Sequence, residues 1–205
     1  MSDEELIYKI VILSYYDSGK TSIINRYISN IYTEDKYRTI SPSFLEKFVT
    51  LNNGKKIKIE LWDTLSGERY RSICRILVKG AKGLIFLYDI SYQRSLNGAK
   101  EFFYYLRDIL SDDVVFALVG NKLDKEYEYR EIETEEGQRF ANENNLLFFE
   151  VSAKNGTNID AFFNALIQRI YENDPNTENE RRIINENKKK IKLRNNRTPK
   201  RGCLK

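Results

Sequence analysis

Three short segments of this chain combine residue types at spacings that suit a nucleotide. The first runs from Ser14 to Thr21 (SYYDSGKT). It fits G-x-x-x-x-G-K-[ST], except that Ser14 stands at the first glycine. Backbone N–H groups from about Asp17 through Ser18 and Gly19 to Ser22 can wrap a phosphate, and a helix opening at Lys20 adds a favourable dipole. Lys20 brings positive charge to the β- and γ-phosphates, and the Thr21 hydroxyl can ligate Mg²⁺.

The other two segments suit a base. Asn121, Lys122 and Asp124 (NKLD) follow an apolar stretch that ends at Gly120. The Asp124 carboxylate can accept hydrogen bonds from N1–H and the exocyclic amine of guanine. Adenine offers neither donor, so it would leave a buried charge poorly paired, a mismatch worth up to ~10⁴-fold. Ser152, Ala153 and Lys154 follow another apolar stretch, where a backbone N–H can reach guanine O6. Asn121 can hold the loops together, and the Lys122 stem can cover one face of the base.

The elements that must position these loops are legible in outline. Ile7–Leu13 (IYKIVIL) is nearly continuous in apolar residues, as expected of a strand buried on both faces. Lys20–Ile28 follows as a helix with Ile23, Ile24 and Tyr27 on one side. Residues 29–43 are polar and contain Pro42. Phe44–Leu51 and Lys56–Trp62 alternate across Asn52, Asn53 and Gly54, the pattern of an antiparallel hairpin. Strands are then expected at Gly83–Asp89, Val114–Gly120 and Leu146–Val151, and helices at Ser95–Leu110, Thr134–Asn144 and Ile159–Tyr171. Thr157 and Asp160 fit an N-terminal capping pattern for the last helix. The order predicts an α/β fold: a six-stranded, mostly parallel sheet with one antiparallel hairpin and helices on both faces. Ligands of such sheets bind at the carboxyl ends of the strands.

Composition narrows the chemistry. The chain has 205 residues, two cysteines (Cys74 and Cys203) and no histidine. Ser-His-Asp and Cys-His mechanisms are therefore excluded, a structural zinc site is not expected, and a reducing compartment is favoured. No apolar run reaches 18 residues, so a membrane-spanning helix is not expected. The acidic start and Ser2 argue against a signal peptide and N-myristoylation. Residues 181–205 hold eleven Lys and Arg against one Glu, a balance of +10 in a chain of net charge +4; residues 1–180 therefore carry −6. The expected organisation is a domain over residues 1–173 and a disordered basic tail over 174–205. Without aromatics in the basic stretch, and with an acidic globule, nucleic acid is not the expected partner.

With these segments in this order, the chain resembles the Ras superfamily over about residues 6–172, and the Rab family most. Arg69–Ile73 (RYRSI), Leu87–Ser91 (LYDIS), Trp62–Thr64, Thr134–Glu136, Arg26 with Tyr27, and Tyr32–Glu34 ahead of Thr39 are similar to Rab segments. The resemblance implies a small G domain of the P-loop NTPase type that binds GTP and GDP with Mg²⁺ and acts as a monomeric switch in vesicle traffic. It would act on the cytosolic face of endomembranes, with effectors, an exchange factor and a GTPase-activating protein as partners. It also implies that Tyr32 stacks on guanine, that Thr39 ligates Mg²⁺ and senses the γ-phosphate, and that Asp63 holds Mg²⁺ through water. Lys20, Thr39 and Ser66 then carry the catalytic roles. Segments 33–45 and 64–80 would order around the γ-phosphate and relax without it.

The chain departs from that pattern where hydrolysis is concerned. Ser66 stands where a glycine donates its N–H to the γ-phosphate, and Gly67 where a glutamine orients the attacking water. Tyr16 replaces a small phosphate-loop residue, and Asp17 adds negative charge unless it points away or is paired. Slow hydrolysis is therefore expected, as is loosened nucleotide retention from Ser14 and Asp17. The alternatives are that Glu68 or a partner group positions the water, or that the chain is a GTP-binding scaffold without turnover. At the end of the chain, Cys203 is third from the terminus, matching neither a paired-cysteine nor a CaaX pattern. A lipid there, supported by the basic tail on an anionic membrane, stands beside a solvated tail with an unmodified thiol.

Overall fold

The computed structural model describes residues 6–15, 17–34, 41–65 and 71–177. In chain order these form β1 (Ile7–Ser14), α1 (Lys20–Ser29), β2 (Ser43–Thr50), β3 (Lys56–Asp63), α2 (Arg71–Leu77) and β4 (Gly83–Asp89). They continue with α3 (Gln93–Leu106), β5 (Val115–Asn121), α4 (Glu126–Tyr129), α5 (Thr134–Glu143), β6 (Leu147–Glu150) and α6 (Ile159–Asn173). The six strands make one sheet in the order β2-β3-β1-β4-β5-β6. Only β2 and β3 are antiparallel, turning at Gly54 with φ 83°.

The apolar character of β1 follows from its position between helices on both faces. Its alternate residues enter different cores. Ile10 and Ile12 pack with Ile23, Tyr27, Phe162, Phe163 and Ile167 of α1 and α6. Val11 and Leu13 pack with Phe86, Leu96, Phe102, Phe103 and Phe140 on the other face. A strand with two buried faces has no polar side to show, which is why it reads as a run rather than an alternation. The expected stripe of α6 is buried throughout, and Tyr27 stacks on Phe163 at 3.9 Å to join α1 to it.

Three local features differ from expectation. Helices α2 and α4 span seven and four residues, too few to show a helical period. Helix α3 stops at Leu106 and continues as a 3₁₀ turn over Arg107–Ile109. The capping pattern expected for α6 from Thr157 and Asp160 is not used. The cap residue is Asn158, left-handed at φ 61°, and the Thr157 hydroxyl donates to Asn155 Oδ1 at 2.6 Å. The cause is closure of the preceding loop: Ser152 N–H donates to the Thr157 carbonyl at 3.0 Å, and Asn158 Nδ2 to the Glu150 carbonyl at 2.8 Å. The loop closes on itself and takes the capping groups with it.

After α6, Pro175–Thr177 form a 3₁₀ turn in which Asp174 and Thr177 are buried. Lys82 lies 2.7 Å from Asp113 and 3.9 Å from Asp174, and the Thr177 hydroxyl donates to the Tyr171 carbonyl. Residues 178–205, with the basic stretch and Cys203, lie outside the described residues. Among the described residues no helix is long and apolar enough to cross a membrane.

Strand order also sets where a ligand can sit. β1 pairs with β3 on one side and β4 on the other; the chain runs from β1 to the β2–β3 side and then crosses over to β4. The carboxyl end of β1 is therefore a topological switch point, where a crevice opens. The carboxyl ends of β3, β4, β5 and β6 lie along the same edge.

Candidate functional site

The loop from Tyr15 to Gly19 connects β1 to α1 across this crevice. Gly19 has φ 89° and ψ 36°, and no side chain among the described residues caps α1. The first turn of α1 holds no acidic residue, so its N–H groups and positive dipole end remain suited to an anion. Gly19 is required twice over: its φ is left-handed, and a Cβ there would come within 2.5 Å of Asn121 Nδ2. Gly19→Ala should therefore weaken binding of a fluorescent GDP analogue by at least ~10²-fold in a titration. The change combines left-handed strain of ~1–2 kcal/mol with displacement of a buried amide.

Lys20 is buried, and its Nζ donates to Ser14 Oγ at 3.1 Å. Burial holds this ammonium below the usual lysine range, while Asp63 and Asp17 pull it back up. The residue that breaks the loop pattern thus supplies an acceptor for Lys20. Thr21 Oγ1 donates to Asp63 Oδ2 at 2.5 Å. Asp63 ends β3 and is itself buried; the Thr64 hydroxyl fixes the exit of that strand by donating to the Ile12 carbonyl at 2.7 Å. A hydroxyl and a carboxylate brought together beside a buried ammonium are hard oxygen donors, which fit Mg²⁺ and a polyphosphate.

Asn121, the last residue of β5, joins the two halves of the site. It is 2% exposed. Its Nδ2 donates to the Ser18 carbonyl at 2.8 Å, and its Oδ1 accepts the Ala153 N–H at 3.1 Å. The bridging expected from sequence is therefore present in atomic detail. Lys122 is left-handed at φ 71°; its Nζ lies 3.3 Å from the Asp17 carbonyl and pairs with Asp89 at 2.5 Å. Asp124 Oδ1 accepts from the Ser152 hydroxyl at 2.5 Å. Asp124, Ser152, Ala153 and Lys154 thus stand together beside the phosphate loop.

Two contributors were not assigned roles from sequence. Asp89 orients Lys122 and also accepts from the Ser91 N–H and hydroxyl at 2.9 and 2.7 Å. Arg26 on α1 staples the Ser152–Lys154 loop: Nε donates to the Ala153 carbonyl at 2.8 Å and Nη2 to the Lys154 carbonyl at 2.7 Å. A planar guanidinium suits two neighbouring carbonyls. The only sequence signal for either was membership of a Rab-like segment. Tyr32 is half-buried against the α1–α6 core, and Lys154 lies 3.5 Å from Glu34 nearby. Tyr16, Thr39, Ser66, Gly67 and Glu68 lie outside the described residues.

Comparison with known proteins agrees with this geometry. The model of the Ras family matches residues 9–172. The chain is 36% identical over 169 residues to the Ras-related protein Rab-11C of Dictyostelium discoideum, covering 82% of this chain and 75% of that one. It is 36% identical to the Ras-related protein Rab5 of Nicotiana tabacum over 162 residues, 79% and 80% of the two chains. With the GTP-binding protein ypt2 of Schizosaccharomyces pombe it shares 33% identity over 205 residues, 99% of this chain and all of the other.

Proposed function

This chain belongs to the Ras family as a Rab-like small GTPase, and we propose that it is a GTP/GDP switch in vesicle traffic whose own hydrolysis is slow. The observation that carries guanine binding is Asn121, which ties the phosphate loop to the base loop, with Asp124 set against Ser152 beside it. Mg²⁺, when bound, would be held by Thr21, Thr39 and Asp63 and would neutralise charge on the β- and γ-phosphates. Lys20 places its ammonium against the same oxygens and stabilises the charge that shifts toward the leaving group.

The reaction assigned to the chain is attack of water on the γ-phosphorus, cleaving the bond to the β-phosphate oxygen and releasing phosphate. The weak element is positioning of that water. Gly67 has no side chain to orient it, and Tyr16 adds bulk to the phosphate loop. Single-turnover assays on purified protein should give a rate at least about tenfold below that of a glutamine-containing Rab, and Gly67→Gln should raise it. A wild-type rate equal to the glutamine enzyme's would reject slow hydrolysis. No detectable turnover, with GTP retained, would favour the second reading, a GTP-binding scaffold.

The surface where segment 33–45 runs into β2 supports partner docking. Phe44 stacks on Trp62 at 4.8 Å between ring centres, and Phe44, Leu45 and Phe48 of the edge strand are exposed. Exposed aromatic area of this kind anchors protein interfaces. The basic tail is assigned to an anionic membrane on the cytosolic side, with Cys203 as the candidate lipid site.

A further inference from the structure

Tyr15 is the first residue beyond β1, where the phosphate loop begins. Its ring lies against α3. A Cβ built on Gly98, in the middle of that 14-residue helix, would overlap Tyr15 Cβ and Cγ and lie 2.8 Å from Cδ2. One turn further along, Phe102 meets the Tyr15 ring edge-on, with centroids 5.7 Å apart and planes at 66°. Phe102 is 2% exposed. Gly98 and Phe102 thus form a notch that the tyrosine fills. A glycine in a helix interior loses stability relative to alanine, and here it sits where any side chain would meet the loop.

The notch matters because the loop's entry is built unusually. At position 14, where the loop pattern has a glycine, the chain has serine, whose hydroxyl accepts from Lys20. The far end of the loop is fixed by Gly19 and by the Ser18–Asn121 hydrogen bond. The near end is fixed by Tyr15 on α3. Ser14 is covalently next to Tyr15, so a displaced ring carries Ser14 Oγ away from the lysine. A loop held at both ends presents its N–H groups without first having to be ordered, which is how preorganisation strengthens binding.

We propose that Tyr15 is a positioning residue for nucleotide binding, a latch that seats the phosphate loop in the Gly98–Phe102 notch of α3. The proposal rests on the guanine-nucleotide reading above. The Tyr15 ring is turned to α3, and the residue acts through the backbone it fixes. The latch is specific in shape, needing both a ring at position 15 and no side chain at position 98.

The test is release of a fluorescent GDP analogue from the full-length protein, chased with unlabelled GDP in Mg²⁺ buffer, with melting under saturating GDP recorded for each variant. Tyr15→Ser and Gly98→Ala should each speed release by about tenfold or more. Tyr15→Phe, which keeps the ring, should restore slow release relative to Tyr15→Ser. Combining Tyr15→Gly with Gly98→Ala should release no faster than Tyr15→Gly alone, because the added methyl then meets no ring. A role in stability alone would lower melting temperatures without separating the release rates of the serine and phenylalanine variants. If Gly98→Ala does not fold, the comparison of Tyr15→Ser with Tyr15→Phe still decides. Slow release from Tyr15→Ser, or equally fast release from Tyr15→Phe, overturns the latch while leaving nucleotide binding intact. A wild-type protein that retains no guanine nucleotide overturns the parent reading and the latch with it.

Discussion

Asp124→Asn should exchange the base that this protein holds. A carboxylate only accepts, and guanine offers it two donors, N1–H and the 2-amino group. The asparagine amide presents one acceptor and one donor. Its carbonyl can still take N1–H, but its N–H₂ would face the guanine amine, donor against donor. Xanthine carries a carbonyl at that position and would accept from the new amide. The expected result is a loss of GDP affinity approaching 10⁴-fold, the scale set by leaving buried polar groups unpaired, with xanthosine diphosphate becoming the tighter ligand. Competition of both diphosphates against a fluorescent analogue measures it. Unaltered preference for GDP would mean that Asp124 does not face the base. The Ser152 hydroxyl, which donates to Asp124 Oδ1 at 2.5 Å, orients the carboxylate. It can equally donate to the asparagine carbonyl, so the substitution should leave the loop folded.

Asn121→Ala should act on a different quantity. In this structure Asn121 joins the Ser18 carbonyl to the Ala153 N–H. Both partners belong to buried residues. Truncation leaves a buried acceptor and a buried donor without their partner, at ~1–3 kcal/mol each. Part of that cost falls on the free protein and part on its complex, because a loosened phosphate loop must be ordered again on binding. Nucleotide affinity should fall by ~10²–10⁴-fold for GDP and GTP alike, with base preference retained. Calorimetric titration of both nucleotides distinguishes this from the Asp124 variant. A fall confined to one nucleotide would show that the bridge serves the γ-phosphate rather than the whole loop.

The two variants mark a division between what could be read locally and what could not. Asp124 could be proposed from sequence because the reading rests on its own chemistry and on its lying just past the end of a strand. The same holds for Lys20 and Thr21, whose places follow from a glycine-containing turn into a helix. The sheet was legible too, because β1 is apolar along its length, the hairpin turns at an Asn-Gly pair, and later strands alternate with helical periods. Local pattern failed where the element was short, as in α2 and α4, or where other groups of the same loop competed for the same atoms. The α6 cap is the clear case: Thr157 had the right type and spacing, but closure of the base loop redirected its hydroxyl to Asn155.

By itself, then, the sequence determined the chemical inventory. It supplied a Gly-Lys-Thr segment with serine at the first position of the loop pattern, the Asn121–Asp124 segment past β5, Thr21 and Asp63, and glycine at position 67. The tertiary structure decided how those parts are held. Arg26 meets carbonyls more than a hundred residues away, Asn121 reaches Ser18, and Tyr15 fills a gap that Gly98 leaves in α3. The reason is physical. Composition and spacing set what a backbone segment can do within a few residues. Contacts across the chain exist only because β1 lies between β3 and β4, which brings one end of each parallel strand to a single edge.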